Sequence, residues 1–81
     1  MPHVTLIGNL RLFTGGVTEL DVEAKNIRQL FVALGQRFPD LAPHLKEGLA
    51  VAIDGQIYQD ALLIPIAENS DVQVLPQIAG A

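Results

Sequence analysis

Asn26-Ile27-Arg28-Gln29-Leu30-Phe31-Val32-Ala33-Leu34-Gly35-Gln36-Arg37-Phe38-Pro39 is the stretch whose reading decides the fold. Ile27, Leu30, Phe31, Leu34 and Phe38 recur at i, i+3, i+4, i+7 and i+11, which puts them in a single apolar stripe on a helix. Asn26 suits the N-cap, and Gln29 three residues later can reach back in the manner of a capping box. Pro39 stops the helix, because its ring and missing N–H forbid continuation. A helix of about three turns with one apolar stripe has to lie on a sheet. Gly35 either lets the helix approach that sheet closely or weakens the helix by about 1 kcal/mol relative to alanine.

On both sides of the helix the period falls to two. Upstream, residues 4–13, Val4-Thr5-Leu6-Ile7-Gly8-Asn9-Leu10-Arg11-Leu12-Phe13, are rich in apolar and β-branched side chains and read as a strand. Thr14-Gly15-Gly16 is a turn signal, and Val17-Thr18-Glu19-Leu20-Asp21-Val22 alternates as a half-buried return strand. The two make a hairpin. Downstream, residues 40–48 contain Pro43 and His44 and read as a short irregular or 3₁₀ turn. Leu49-Ala50-Val51-Ala52-Ile53 is a third strand with large and small side chains on opposite faces. Asp54-Gly55 is the strongest hairpin signal, because a type I′ turn needs positive φ at both central residues. Gln56-Ile57-Tyr58 is the short return strand. Residues 60–68 form a connection whose Leu62, Leu63, Ile64 and Ile66 are available to cap the core. Glu68-Asn69-Ser70 is a turn before the last strand, Asp71-Val72-Gln73-Val74-Leu75-Pro76.

The 81 residues leave room for one domain, and 49% apolar side chains give it a small core. A charged fraction of 17% with apolar residues spread throughout excludes a disordered chain. The absence of cysteine excludes a disulfide scaffold, a zinc knuckle and a thiolate nucleophile. The apolar run at residues 49–53 is far shorter than the roughly 20 residues of a membrane span. Met1-Pro2-His3 opens no basic-then-apolar signal, so a cytoplasmic protein without membrane attachment is the expectation. The net charge of −4, with Arg11, Lys25, Arg28, Arg37 and Lys46 scattered singly, argues against nucleic acid. Such a surface either meets a basic partner or simply keeps the protein soluble.

The succession of these segments resembles the MoaD/ThiS family of ubiquitin-like sulfur carriers, to which the molybdopterin synthase small subunit and the thiamine sulfur carrier belong. Residues 4–10 followed by Arg11-Leu12-Phe13-Thr14-Gly15-Gly16 look like that family's first strand and glycine turn. Arg37-Phe38-Pro39 looks like the end of its helix, and Val51-Ala52-Ile53-Asp54-Gly55 like its third strand and turn. Asn69-Ser70-Asp71-Val72-Gln73-Val74-Leu75-Pro76 looks like its last strand. The resemblance implies an α+β, ubiquitin-like β-grasp fold: a mixed sheet of four to five strands on one main helix, first and last strands central and parallel. It implies a β-grasp domain over residues 1–76 and a flexible C-terminal tail over residues 77–81.

The same resemblance implies a function. A ubiquitin-activating-like adenylating enzyme would use ATP to activate the terminal carboxylate, and sulfur would then convert it to a thiocarboxylate. That product would be passed to a synthase large subunit or another sulfur acceptor, in a molybdopterin-type pathway. The chain would then be a co-substrate, with no catalytic residue, bound cofactor or metal of its own. A tail that threads a narrow channel favours residues lacking Cβ, and relatives end in Gly-Gly. Here the tail reads Ala79-Gly80-Ala81. Either Ala81 is tolerated, or it is trimmed, or the chain is an interaction module that has left sulfur chemistry and binds through its open sheet face.

If Val4, Leu6, Val72 and Val74 face the helix, then Thr5, Ile7, Gln73 and Leu75 face away, and Ile7 and Leu75 become neighbours. They form an apolar spot of the kind that members of the family present to their enzymes, with Arg11 as a polar contact on its rim. Other candidates carry less. His3 and His44 have no metal-ligand spacing and read as surface residues. Asp54, Asp60, Glu68 and Asp71 fall in turns, where carboxylates accept backbone N–H bonds. Gly15-Gly16 lacks a phosphate-loop lysine. Ser70 lacks a neighbouring base and reads as a turn residue.

Overall fold

A computed structural model describes residues 1–47 and 49–76. The helix forms where the stripe requires it: α1 spans Ile27–Arg37, with Ile27, Leu30 and Leu34 buried. The Asn26 side chain accepts from the Gln29 amide at 2.8 Å. Gln29 Oε1 accepts from the Lys25 amide rather than that of Asn26, so the reciprocal cap is displaced by one residue. The chain leaves the helix at Phe38, immediately before Pro39.

Five strands make one mixed sheet in the order β2-β1-β5-β3-β4. They are β1 (His3–Leu6), β2 (Glu19–Asp21), β3 (Ala50–Ile53), β4 (Gln56–Tyr58) and β5 (Asp71–Leu75). β1 and β5 pair in parallel, with Val4 opposite Val72 and Leu6 opposite Val74. The remaining pairs are antiparallel. Val4, Leu6, Val72 and Val74 are buried against the helix side together with Leu20, Val51 and Ile53. This is the ubiquitin-like β-grasp arrangement, and the expected central, parallel placement of the first and last strands holds. Asp54 and Gly55 join β3 to β4 with φ of 49° and 89°, the two positive values that a type I′ hairpin needs.

Four sequence expectations need correction. The strand expected over residues 4–13 ends at Leu6, because Gly8 takes φ +71° and turns the chain into a 3₁₀ helix over Gly8–Phe13. The hairpin is therefore β1 and β2 joined through that helix. Residues 40–48, expected to be irregular or 3₁₀, contain a short α-helix, α2 (Ala42–Lys46), with Pro43 in its first turn, where its missing N–H costs no bond. Gly35 approaches α2 rather than the sheet: a Cβ there would lie 3.5 Å from Ala42 Cβ and Leu45 Cδ1. Of the four residues expected to cap the core, Ile66 is buried and Ile64 half-buried, but Leu62 and Leu63 are 48% and 76% exposed. The Leu62 and Ile64 carbonyls accept from the Arg28 and Ile27 amides, which fixes the connection to the free N–H groups of α1 with Ile64 and Ile66 turned inward and Leu62 and Leu63 turned out.

Two substitutions separate packing from capping. Leu34→Ala is expected to destabilise the chain by about 2–5 kcal/mol, and Asn26→Ala by about 1 kcal/mol. Urea denaturation measures both, with unchanged m-values if the unfolded states are alike.

Candidate functional site

Because successive strand residues point to opposite faces, the sheet has a second face away from α1. Across it run Glu19, Thr5, Gln73, Ala52 and Ile57, in register from β2 to β4. Ala50 and Leu75 lie opposite each other in the next row. Ile7 follows β1, and its amide donates to the Val74 carbonyl at 2.9 Å, which continues the parallel ladder and brings Ile7 alongside Leu75. Both are half-buried. The structure thus brings together two of the three expected partner-binding residues, in the orientation that alternation implies. Arg11 is exposed in the 3₁₀ helix, where its carbonyl accepts from the Gly16 amide at 3.0 Å and anchors the turn back to β2.

The end of β5 has a built support. Gly8 lies so close to the Pro76 ring that a Cβ on it would stand 3.2 Å from Pro76 Cγ. A side chain would therefore push on the proline while also straining a positive φ. β5 ends at this point, with Leu75 beside Ile7. The expected tail residues Ala79, Gly80 and Ala81 lie outside the described residues.

At the opposite end of the same face the side chains are charged. His3 on β1 sits between two carboxylates of β2, with Nε2 3.0 Å from Glu19 Oε1 and Nδ1 3.2 Å from Asp21 Oδ1. Asp71 on β5 stands opposite His3 in register. The hydrogen bond to Glu19, followed by that to Asp21, holds the imidazole above its ordinary pKa. Read in the sequence, His3 was an isolated surface histidine. The signal that could have found its partners is the hairpin register, which sets Asp21 directly opposite it and Glu19 two residues along. Asp54 and Ser70 do what turn residues do. The Asp54 carboxylate accepts from the Asp71 amide at 2.9 Å, and the Ser70 hydroxyl accepts from the Ala67 amide at 3.1 Å. His44 stacks on Phe13, with ring centroids 3.9 Å apart, and so helps to hold the 3₁₀ helix against α2. No metal-binding group of three or more His, Cys, Asp or Glu residues occurs among the described residues. Nor, among them, is any helix long and apolar enough to cross a membrane.

Comparison with known proteins places this geometry. The ThiS family model matches residues 4–80. Among solved structures, a chain of the BexX/CysO complex from Amycolatopsis orientalis is similar at 18% identity over the whole of both chains, with a TM-score of 0.78. The small archaeal modifier protein 1 from Methanosarcina acetivorans is 18% identical over 98% of this chain and 94% of its own, with a TM-score of 0.75. SAMP1 from Haloferax volcanii is 19% identical over 98% and 97%, with a TM-score of 0.66. At these identities the likeness is one of fold. No curated protein matches the sequence.

The His3 cluster makes a pH prediction. With its folded pKa raised, His3 contributes stability that is fully present below its unfolded value of about 6.5 and is lost as pH rises through the folded value. His3→Gln is expected to flatten the melting temperature over that window. The check is thermal melting of both proteins as a function of pH, with the His3 ring midpoint followed by NMR.

Proposed function

The chain belongs to the ThiS family, and from that membership we propose that it is a sulfur carrier whose C-terminal carboxylate is the reacting group. The observation that carries the reading is the position of β5. It lies between β1 and β3, so the strand that precedes the proposed tail ends in the middle of the sheet, with Leu75 next to Ile7. A partner that docks on this pair is held beside the end of β5. Ala79, Gly80 and Ala81 are the proposed tail.

The proposed chemistry is carried out by the partner. A terminal carboxylate oxygen attacks the α-phosphorus of ATP, and pyrophosphate leaves. A sulfur nucleophile then attacks the carbonyl carbon, and AMP leaves with the oxygen. The chain contributes orientation: a rigid strand delivers a slender tail to an enzyme-bound nucleotide, which lowers the entropic cost of the encounter. An adenylating enzyme of the ubiquitin-activating type is the first partner, and a synthase subunit or other sulfur acceptor is the second. A molybdopterin-type pathway is the proposed setting. A neighbour of like fold is described in a BexX/CysO complex, which supports a role based on docking. A second reading, an interaction module that uses the open face alone, rests on Ile7 and Leu75 standing together on that face.

Intact-mass spectrometry separates the two readings. Incubation with ATP, an adenylating enzyme and a sulfur source is expected to add about 16 Da, the exchange of oxygen for sulfur. If Ala81 is removed first, a loss of about 71 Da precedes that gain. An unchanged mass while the chain still binds the enzyme supports the interaction module. Ile7→Ser and Leu75→Ser are each expected to weaken binding of the adenylating enzyme by roughly tenfold and, because both residues are half-buried, to lower the melting temperature by roughly 4–8 °C with the chain still folded. Calorimetric titration measures the first effect and thermal melting the second.

A further inference from the structure

The side of the molecule opposite the open sheet face carries a groove of about 540 Å³. Phe31 and Val32 of α1 form one wall, and Tyr58 of β4 lies across from them. Leu45 and Lys46 of α2 line one end, while Asp60 and Leu62 line the other. Leu62, whose carbonyl accepts from the Arg28 amide, lines the groove's end with its side chain about half in solvent. Val32 is also exposed on the wall.

We propose that this groove binds a small amphiphilic anion, in its simplest form a medium-chain carboxylate, with its chain along Phe31, Val32 and Tyr58 and its head at Lys46. The volume falls within the roughly 300–1,000 Å³ of small-molecule sites, and the lining is mainly apolar with a few polar groups, as such sites require. α2 and residues 60–62 stand at the two ends, which suits a short molecule better than a peptide helix or strand that has to run through. Charge selects the anion. The whole chain carries −4, yet the charged residues lining the groove are two cations, Arg28 and Lys46, against one carboxylate, Asp60. Arg28 shares its end with Asp60, because its backbone is bonded to the connection that carries that carboxylate. Lys46 has no acidic residue lining the groove at its own end, and among the described residues it is in no ion pair. A carboxylate beside Lys46 gains a charge-assisted hydrogen bond, while its alkyl chain covers apolar surface now facing water. The site is separate from Ile7 and Leu75, so it does not depend on carrier chemistry.

The test is an amide NMR titration of the full chain with decanoate, with decanol as the uncharged counterpart. Saturable shifts centred on Phe31, Val32, Lys46 and Tyr58 are expected. Decanol, and decanoate with Lys46→Glu, are each expected to bind roughly tenfold more weakly. Lys46 is exposed, so the variant's spectrum should remain that of a folded chain; Lys46→Gln repeats the comparison without charge reversal. The proposal is overturned by an absence of saturable shifts, by shifts centred on Ile7 and Leu75, by equal affinity for decanol, or by unchanged affinity in both Lys46 variants.

Discussion

The parallel pairing of β1 with β5 is the interaction on which the rest of the structure depends. It joins the first strand to the last, so every other element has to fit within the crossover between Leu6 and Asp71. Parallel neighbours cannot be joined by a tight turn, and the crossover here contains a helix long enough to cover them. Val4, Leu6, Val72 and Val74 face that helix and are almost completely shielded from water, at 0–3% exposure. Their burial against Leu30 and Leu34 is the center of the core. In a chain this small there is no second core to compensate for losing it.

That constraint also determines what the two faces can do. With Val4, Leu6, Val72 and Val74 committed to the helix side, the open face is left with Glu19, Thr5, Gln73, the small side chains of Ala50 and Ala52, the exposed Ile57 of β4, and the pair Ile7 and Leu75. Acidic groups gather at one end around His3. The point where the chain leaves β5 lies at the other end, braced by Gly8 against Pro76. A docking partner would therefore meet apolar surface near the end of β5 and negative charge farther away, an arrangement that orients an encounter. On the helix side, α1 is flanked by α2 and by the connection after β4, and the groove is what remains between them.

Much of this was legible from residues alone, because the signals were local. The stripe from Ile27 to Phe38, the cap at Asn26, the stop at Pro39 and the Asp54-Gly55 turn each specify backbone geometry within a few residues. Alternation at Val4, Leu6, Val72 and Val74 gave the buried face, and the pairing of Ile7 with Leu75 followed once the two strands were taken as parallel neighbours. What escaped depends on partners distant in sequence. Leu10, Leu12 and Phe13 have the composition of a strand, but Gly8 redirects them into a 3₁₀ helix in which only Leu10 is buried. Leu62 and Leu63 have the hydrophobicity of core residues and stay outside, while Ile64 and Ile66 of the same connection turn inward. The contacts of His3 need the hairpin register, and the groove needs α1, α2 and the later connection placed together. None of these is a property of any one segment.

β5 is expected to be the most rigid part of the molecule, since it is the central strand of the sheet, paired with β1 on one side and β3 on the other. Native-state hydrogen exchange measured amide by amide tests this directly. Backbone amides of β5 and of its partners in β1 should exchange only through global unfolding, at the free energy found by denaturation. Exchange in β5 as fast as that of the edge strand β4 would contradict the account, because the outgoing chain would then have no fixed base.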